Sequence, residues 1–328
     1  MKKVAITGLI IALGLLIIPL FNIKIEKKTV KTLASAKEKV ADETDNSEKS
    51  DIPDDTGTVF LIKTSDKIES VPAAEYVAGV VAAEMPASFN IEALKAQCVA
   101  AYTFALYRKN EGRYKEYDLT DSYKTDQSYI NDALRREKWG EAYEQNSAKI
   151  SEAVKSVLGE YLSFDDKPAL TLYHALSAGV TNSCADVFGS QVQYLVSVDS
   201  AGDLLSPDYK SVFSFSEDDL VNKLSALYKP QNGGQNLFSD IKTAKSGLVL
   251  SLVYGEKTTS GGEIAKLLDL PSAAFDIEYS AASYTFTCVG RGHGVGMSQY
   301  GAQSQAAGGA DYKEILFHYY PGTRLMKK

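Results

Sequence analysis

The chain has 328 residues, a net charge of −7, 45 % hydrophobic and 23 % charged residues. The acidic balance argues against a broad nucleic-acid-binding face, and the apolar content suffices for one large core without covalent staples. Cys98, Cys184 and Cys288 are widely separated and odd in number, which excludes a disulfide framework or a zinc ribbon.

Lys2 and Lys3 precede the uncharged run Val4–Ile23, about long enough to cross a bilayer as a helix. Residues 1–23 are expected to be an uncleaved transmembrane anchor, N-terminus cytoplasmic, with the rest of the chain outside the cytoplasm. Residues 24–57 are rich in Lys, Glu, Asp and Ser and read as a disordered tether. The folded part is expected over 58–328.

That part opens with "TVFLIKT", a strand. Pro72 suits the first turn of a helix over "AAEYVAGVVAAEM", which Pro86 stops. Asn90 is placed to cap a long second helix, "IEALKAQCVAAYTFALYRKN", with Cys98 as a small buried hydrophobe inside it. Residues 111–146 are polar and Tyr-rich with little periodicity. A helix follows at "SAKISEAVKSVLG", then strands at "EYLSF" and "ALTLYHAL". Short helices at "EDDLVNKLSALY" and "GGEIAKLLDL" accompany strands at "SGLVLSLVYG", "FDIEYS" and "ASYTFTCVG". The order of elements lacks regular strand–helix alternation, so the expected class is α+β with mainly antiparallel strands.

Three segments offer chemistry. Glu84 ends an apolar helix, where the negative end of the helix dipole and apolar neighbours both disfavour its charged form. It is either a solvent-facing helix-end residue or a carboxyl held protonated toward neutral pH, fit to donate a proton. Residues 290–302, "GRGHGVGMSQYGA", form a glycine-rich loop opening a helix. The spacing matches neither a dinucleotide fingerprint nor a P-loop, leaving a tight turn with a core histidine or a ligand-facing wall carrying Arg291 and His293. In residues 173–189, "YHALSAGVTNSCADVFG", His174 and Cys184 are two candidate metal ligands, with Asp186, His293 or Cys288 to complete a set that no spacing demands. No G-x-S-x-G elbow exists and no signature surrounds a cysteine.

Taken together, "YVAGVVAAEMPASFNIEALKAQCVAAYTFAL", "DQSY", "YHALSAGVTNSCADVFG" and "GRGHGVGMSQYGAQSQAAGGADYKEILFHYYPGT" resemble the stage II sporulation protein D family of peptidoglycan lytic transglycosylases and the related amidase enhancers. The resemblance implies a glycan-binding groove with Glu84 as catalytic acid. It implies substrate contacts by Lys95, Gln97, Gln127, His174, Ser177, Thr181, Arg291, His293, Gln299 and Tyr300. Tyr102 stands where members commonly carry Arg, altering one such contact. Some members bind zinc through Cys and His ahead of the "DQSY" position; here Thr120, Thr125 and Asp126 occupy that stretch, so no metal or other cofactor is expected.

The implied reaction needs one carboxyl. Protonated Glu84 donates to the oxygen between N-acetylmuramic acid and N-acetylglucosamine, then takes the proton of the muramoyl 6-hydroxyl as that oxygen closes a 1,6-anhydro ring. The implied partners are glycan strands denuded of stem peptides, a wall amidase, and membrane proteins of a complex acting in engulfment. Two rivals remain: a non-catalytic glycan-binding enhancer of an amidase, and a hydrolase using Asp126 or Asp186 to activate water.

Overall fold

A computed structural model describes residues 52–54, 56–230 and 236–328. The apolar run Val4–Ile23 and most of the expected tether lie outside the described residues. Among the described residues no helix is long and apolar enough to cross a membrane.

Strands β1 (Val59–Lys63) and β2 (Ile68–Pro72) form an antiparallel hairpin leading directly into helix α1 (Ala73–Glu84). Pro72 supplies no side-chain cap. Asp54 does so from a distance, its Oδ2 accepting the Ala74 N–H at 2.9 Å, and Ile52 is buried against the core. Packing therefore starts ahead of Thr58, inside the stretch read as tether. The N-terminus of α1 needs an acceptor, and an acidic segment provides one.

Met85 turns extended before Pro86, and Asn90 caps α2 (Ile91–Glu111) by accepting the Glu92 N–H at 2.9 Å. This helix is buried on every side through its middle, with Ala93, Ala96, Ala100, Ala101 and Ala105 letting its neighbours approach closely. It is the axis of the main core. Strand β3 (Leu119–Thr120) joins β1 in parallel. The pattern-poor stretch then contains α3 (Asp132–Trp139) and the start of α4 (Tyr143–Val157). β4 (Glu160–Phe164) pairs with β5 (Lys167–Pro168) and with the last strand of the chain.

The strand expected over "ALTLYHAL" shrinks to β6 (Tyr173–His174); α5 (Cys184–Phe188) follows. Next comes a lobe with its own hydrophobic core. It comprises β7 (Lys210–Ser216), α6 (Glu217–Lys223), β8 (Phe238–Thr243), β9 (Val249–Tyr254), β10 (Lys257–Thr259), α7 (Gly261–Leu268), β11 (Phe275–Ser280) and β12 (Ser283–Val289). Its two sheets, β11-β12-β7 and β10-β9-β8, are antiparallel throughout. The chain returns through the glycine loop to β13 (Met297–Ser298), α8 (Gln299–Ala307), α9 (Tyr312–Tyr319) and β14 (Arg324–Lys327). The class is α+β; among the described residues only the β1–β3 and β6–β13 strand pairs are parallel.

Candidate active site

Glu84 is the final residue of α1, half-buried at the elbow between α1 and α2. The loop of residues 121–131 lies against it, and the Ser128 N–H donates to Glu84 Oε1 at 2.9 Å. That loop is pinned at two points. Asp126, its side chain fully buried, contacts Arg108 at 3.0 Å and accepts the Thr120 N–H at 2.9 Å. Tyr129 stacks on Tyr76 of α1 with ring centroids 5.5 Å apart. Gly79 makes this approach possible, since a Cβ there would overlap the Tyr129 ring and the Ile130 carbonyl.

The opposite side comes from the glycine loop. Arg291 and Leu176 exchange backbone hydrogen bonds of 2.7 and 3.0 Å, and the Asn182 N–H donates to the Gly294 carbonyl at 2.7 Å. Gly296 has φ +74°, and a Cβ there would overlap the Leu172 carbonyl, so only glycine lets Met297 reach its place beside Tyr173. Ser298 then caps α8, and Gln299 follows at its start. The Gln299 amide lies beside the Glu84 carboxyl and favours its charged form, and its Nε2 lies 3.5 Å from Gln97 Oε1. Tyr173 faces Glu84 and donates to Gln127 Oε1 at 2.8 Å; Gln127 Nε2 in turn donates to the Tyr76 hydroxyl at 2.9 Å. Tyr300 packs edge-on against Phe89 of the elbow, centroids 5.0 Å apart.

Burial pushes the Glu84 carboxyl above its ordinary range. The Ser128 N–H and hydroxyl, the Gln299 amide and the Lys138 ammonium pull in the other direction by favouring the carboxylate. Burial, and the charge of Glu84, push the Tyr173 phenol well above its usual value, so it remains a neutral donor. His174 and His293 are held neutral by burial, down to about 3 and about 4. His293 Nδ1 accepts the Val295 N–H at 3.0 Å, and His174 Nδ1 faces the Val295 carbonyl at 3.2 Å. Both imidazoles thus brace the glycine loop.

Of the residues expected to contact substrate, Gln97, Gln127 and Gln299 are brought around Glu84, and Arg291 and Tyr300 line the same loop and helix start. Others are placed elsewhere. Tyr102 is buried, and its hydroxyl lies 3.2 Å from Thr58 Oγ1 beneath the N-terminal segment. Lys95 pairs with Glu92 at 2.7 Å on the α9 side of α2. Thr181 is fully buried and bonds the strand-like segment at Val198. Ser177 is buried against Asp203.

Asp203, with no exposure, is a hub that sequence reasoning missed. Its carboxyl accepts the Ser177 N–H (2.9 Å) and hydroxyl (2.5 Å), the Ser200 hydroxyl (3.0 Å) and the Ser298 hydroxyl (2.7 Å). Ser128, Tyr173 and Lys138 were also missed. Ser128 acts through its backbone, which no side-chain pattern announces, and Tyr173 was visible only as the neighbour of His174 in "YHAL".

The two hydrolase candidates are engaged with other partners. Asp126 is committed to Arg108, and the exposed Asp186 accepts the hydroxyl of Ser183, the residue that caps its short helix, at 2.7 Å. Cys184 lies in the main core and Cys288 in the second one. Among the described residues no group of three or more His, Cys, Asp or Glu is gathered to hold a metal.

Residues 62–164 match a family model described as Stage II sporulation protein. The chain is 36 % identical to Stage II sporulation protein D of Bacillus amyloliquefaciens over 273 residues, covering 82 % of this chain and 78 % of the relative. It is 36 % identical to the Bacillus subtilis protein of that name over 262 residues, 79 % of this chain and 75 % of the relative. It is also 26 % identical over 301 residues to an amidase enhancer of Bacillus subtilis, covering 75 % of this chain and 40 % of that protein. With that identity sustained over most of both chains, this protein belongs to the stage II sporulation protein D family.

Proposed function

We propose that the protein is a peptidoglycan lytic transglycosylase that uses Glu84 as acid and then as base. The observation that carries this reading is a single half-buried carboxyl whose titration is raised by burial while two neutral donors, the Ser128 N–H and Gln299, stand ready for its ionised form. Such a group holds a proton until it acts and tolerates the charge afterwards. It donates to the glycosidic oxygen between N-acetylmuramic acid and N-acetylglucosamine, and the leaving sugar departs with that proton. The carboxylate then accepts the proton of the muramoyl 6-hydroxyl as this oxygen bonds to the anomeric carbon. The nucleophile belongs to the substrate, so no second carboxylate is needed, and intramolecular attack spares the entropy of recruiting water.

The site of action would be the wall-facing side of the cell membrane, with Val4–Ile23 as anchor and the work done in engulfment during sporulation. A wall amidase would supply denuded strands. The likeness to an amidase enhancer favours a second reading, in which the groove binds glycan and stimulates such an amidase without cutting. Purified glycan strands, with and without stem peptides, decide between them when the product ends are read by mass spectrometry. Anhydro-muramic ends are expected. Binding without new ends on either substrate would select the enhancer.

A further inference from the structure

Helix α3 is stapled to α1 by two basic residues one turn apart. Arg135 pairs with Glu75 in the first turn of α1. Lys138 reaches the other end, its Nζ 2.7 Å from the Ala82 carbonyl and 3.5 Å from that of Ala83. These are among the last carbonyls of α1, which have no partner within the helix and carry its negative dipole end. They lie directly before Glu84. Without a cation there, the ionised Glu84 would meet both its own burial and this row of carbonyl oxygens. Asn131 caps α3, accepting the Leu134 N–H at 3.0 Å.

We propose that Lys138 is a positioning residue for the reaction: its ammonium neutralises the carbonyl end of α1 and so stabilises the carboxylate that Glu84 becomes after proton donation. The inference rests on the reading of Glu84 as acid and base. The other titratable groups facing Glu84 are Tyr173 from β6 and Tyr76 from α1, both phenols kept neutral by burial. Ser128 and Gln299 complete the surroundings without charge. Among the described residues, Lys138 is a cation that acts on Glu84, and its charge pulls the carboxyl downward. Lys138 is exposed overall, so screening moderates the effect; partial desolvation of its ammonium pulls its own titration down, and the charge of Glu84 acts in the opposite direction.

The test compares K138M, K138Q and K138R in the full-length chain. Glutamine keeps a donor to the carbonyls and loses the charge; arginine keeps both. The Glu84 carboxyl is titrated directly by carbon NMR on protein with labelled glutamate, its signal assigned by its loss in E84Q. K138M and K138Q are expected to raise the Glu84 titration by roughly half to one pH unit, a change of about three- to tenfold in its ionisation constant, and K138R to leave it in place. The alkaline limb of glycan cleavage, which reports loss of the protonated acid, should move upward by the same amount. An unmoved Glu84 titration in K138M overturns the proposal, as does a shift in K138M that K138Q fails to reproduce. If no variant or wild type cleaves glycan while the NMR shift is seen, the transglycosylase reading fails and the action of Lys138 on Glu84 stands.

Discussion

Replacing Glu84 by glutamine is expected to lower glycan cleavage by about a thousandfold, the usual share of a positioned general acid, while leaving the protein at least as stable as the wild type. Glutamine fills the same volume and keeps an acceptor oxygen for the Ser128 N–H. It cannot release a proton to the glycosidic oxygen. The stability side follows from the direction of the Glu84 shift. A carboxyl that titrates higher in the folded chain than in the unfolded one binds more protons when folded within that window. Stability contributed by the protonated form is therefore present at low pH and is lost as pH rises through the folded value. The variant escapes this loss. Its Tm should match the wild type below a pH of about 4, where both forms of the wild type are protonated, and should equal or exceed it at neutral pH. Thermal melts at several pH values, together with an assay of released glycan fragments, check both halves. Full cleavage by the variant would remove Glu84 from the chemistry.

The second large effect is structural. Asp203→Ala should cost about 3 kcal/mol and roughly 8 °C in Tm, since it leaves buried donors unpaired. The donors are the Ser177 N–H and the hydroxyls of Ser177, Ser200 and Ser298. Ser298 also caps α8 beside Gln299, so activity should fall with stability. Asp203→Asn should recover most of the loss. Its amide oxygen can serve the Ser177 N–H, and its amide nitrogen can donate to the Ser298 hydroxyl after that hydroxyl rotates toward the Ala175 carbonyl, 3.2 Å away. Urea unfolding of both variants gives the comparison. An alanine variant as stable as the wild type would show that the hub is redundant.

How far the sequence reveals this molecule depends on which interactions are local. The ends of α1 and α2 are legible because Pro86 and Asn90 act on adjacent backbone. β11 and β12 are legible because the apolar and polar residues of "FDIEYS" and "SYTFTCV" alternate on a sheet with one buried face. β7 is less so, since Phe213 and Phe215 are spaced by serines and its exposed face also carries Val212. "ALTLYHAL" reads as a long strand by composition, yet only Tyr173 and His174 pair, because the partner is a two-residue strand at the end of a glycine loop.

The same division holds at the site. Glu84 was accessible from its helix position, and Gln299 from the motif opening α8. Ser128 was not, since its placement depends on the distant Arg108–Asp126 contact and on Tyr129 lying over Gly79. Lys138 was hidden in a stretch with little periodicity, where long-range contacts with α1 decide its role. Tyr102 shows the opposite case. Its position in a motif suggested the groove, but on a helix buried all round its side is turned to Thr58.

In the proposed reaction the attacking oxygen belongs to the substrate and Glu84 manages the protons on both sides of the cut. Cleavage of purified glycan strands in heavy-oxygen water tests this most directly. Anhydro-muramic ends carrying no heavy oxygen are expected, with their formation abolished in Glu84→Gln. Reducing ends that carry the heavy oxygen would mean that water is the nucleophile, and would contradict the proposed reaction.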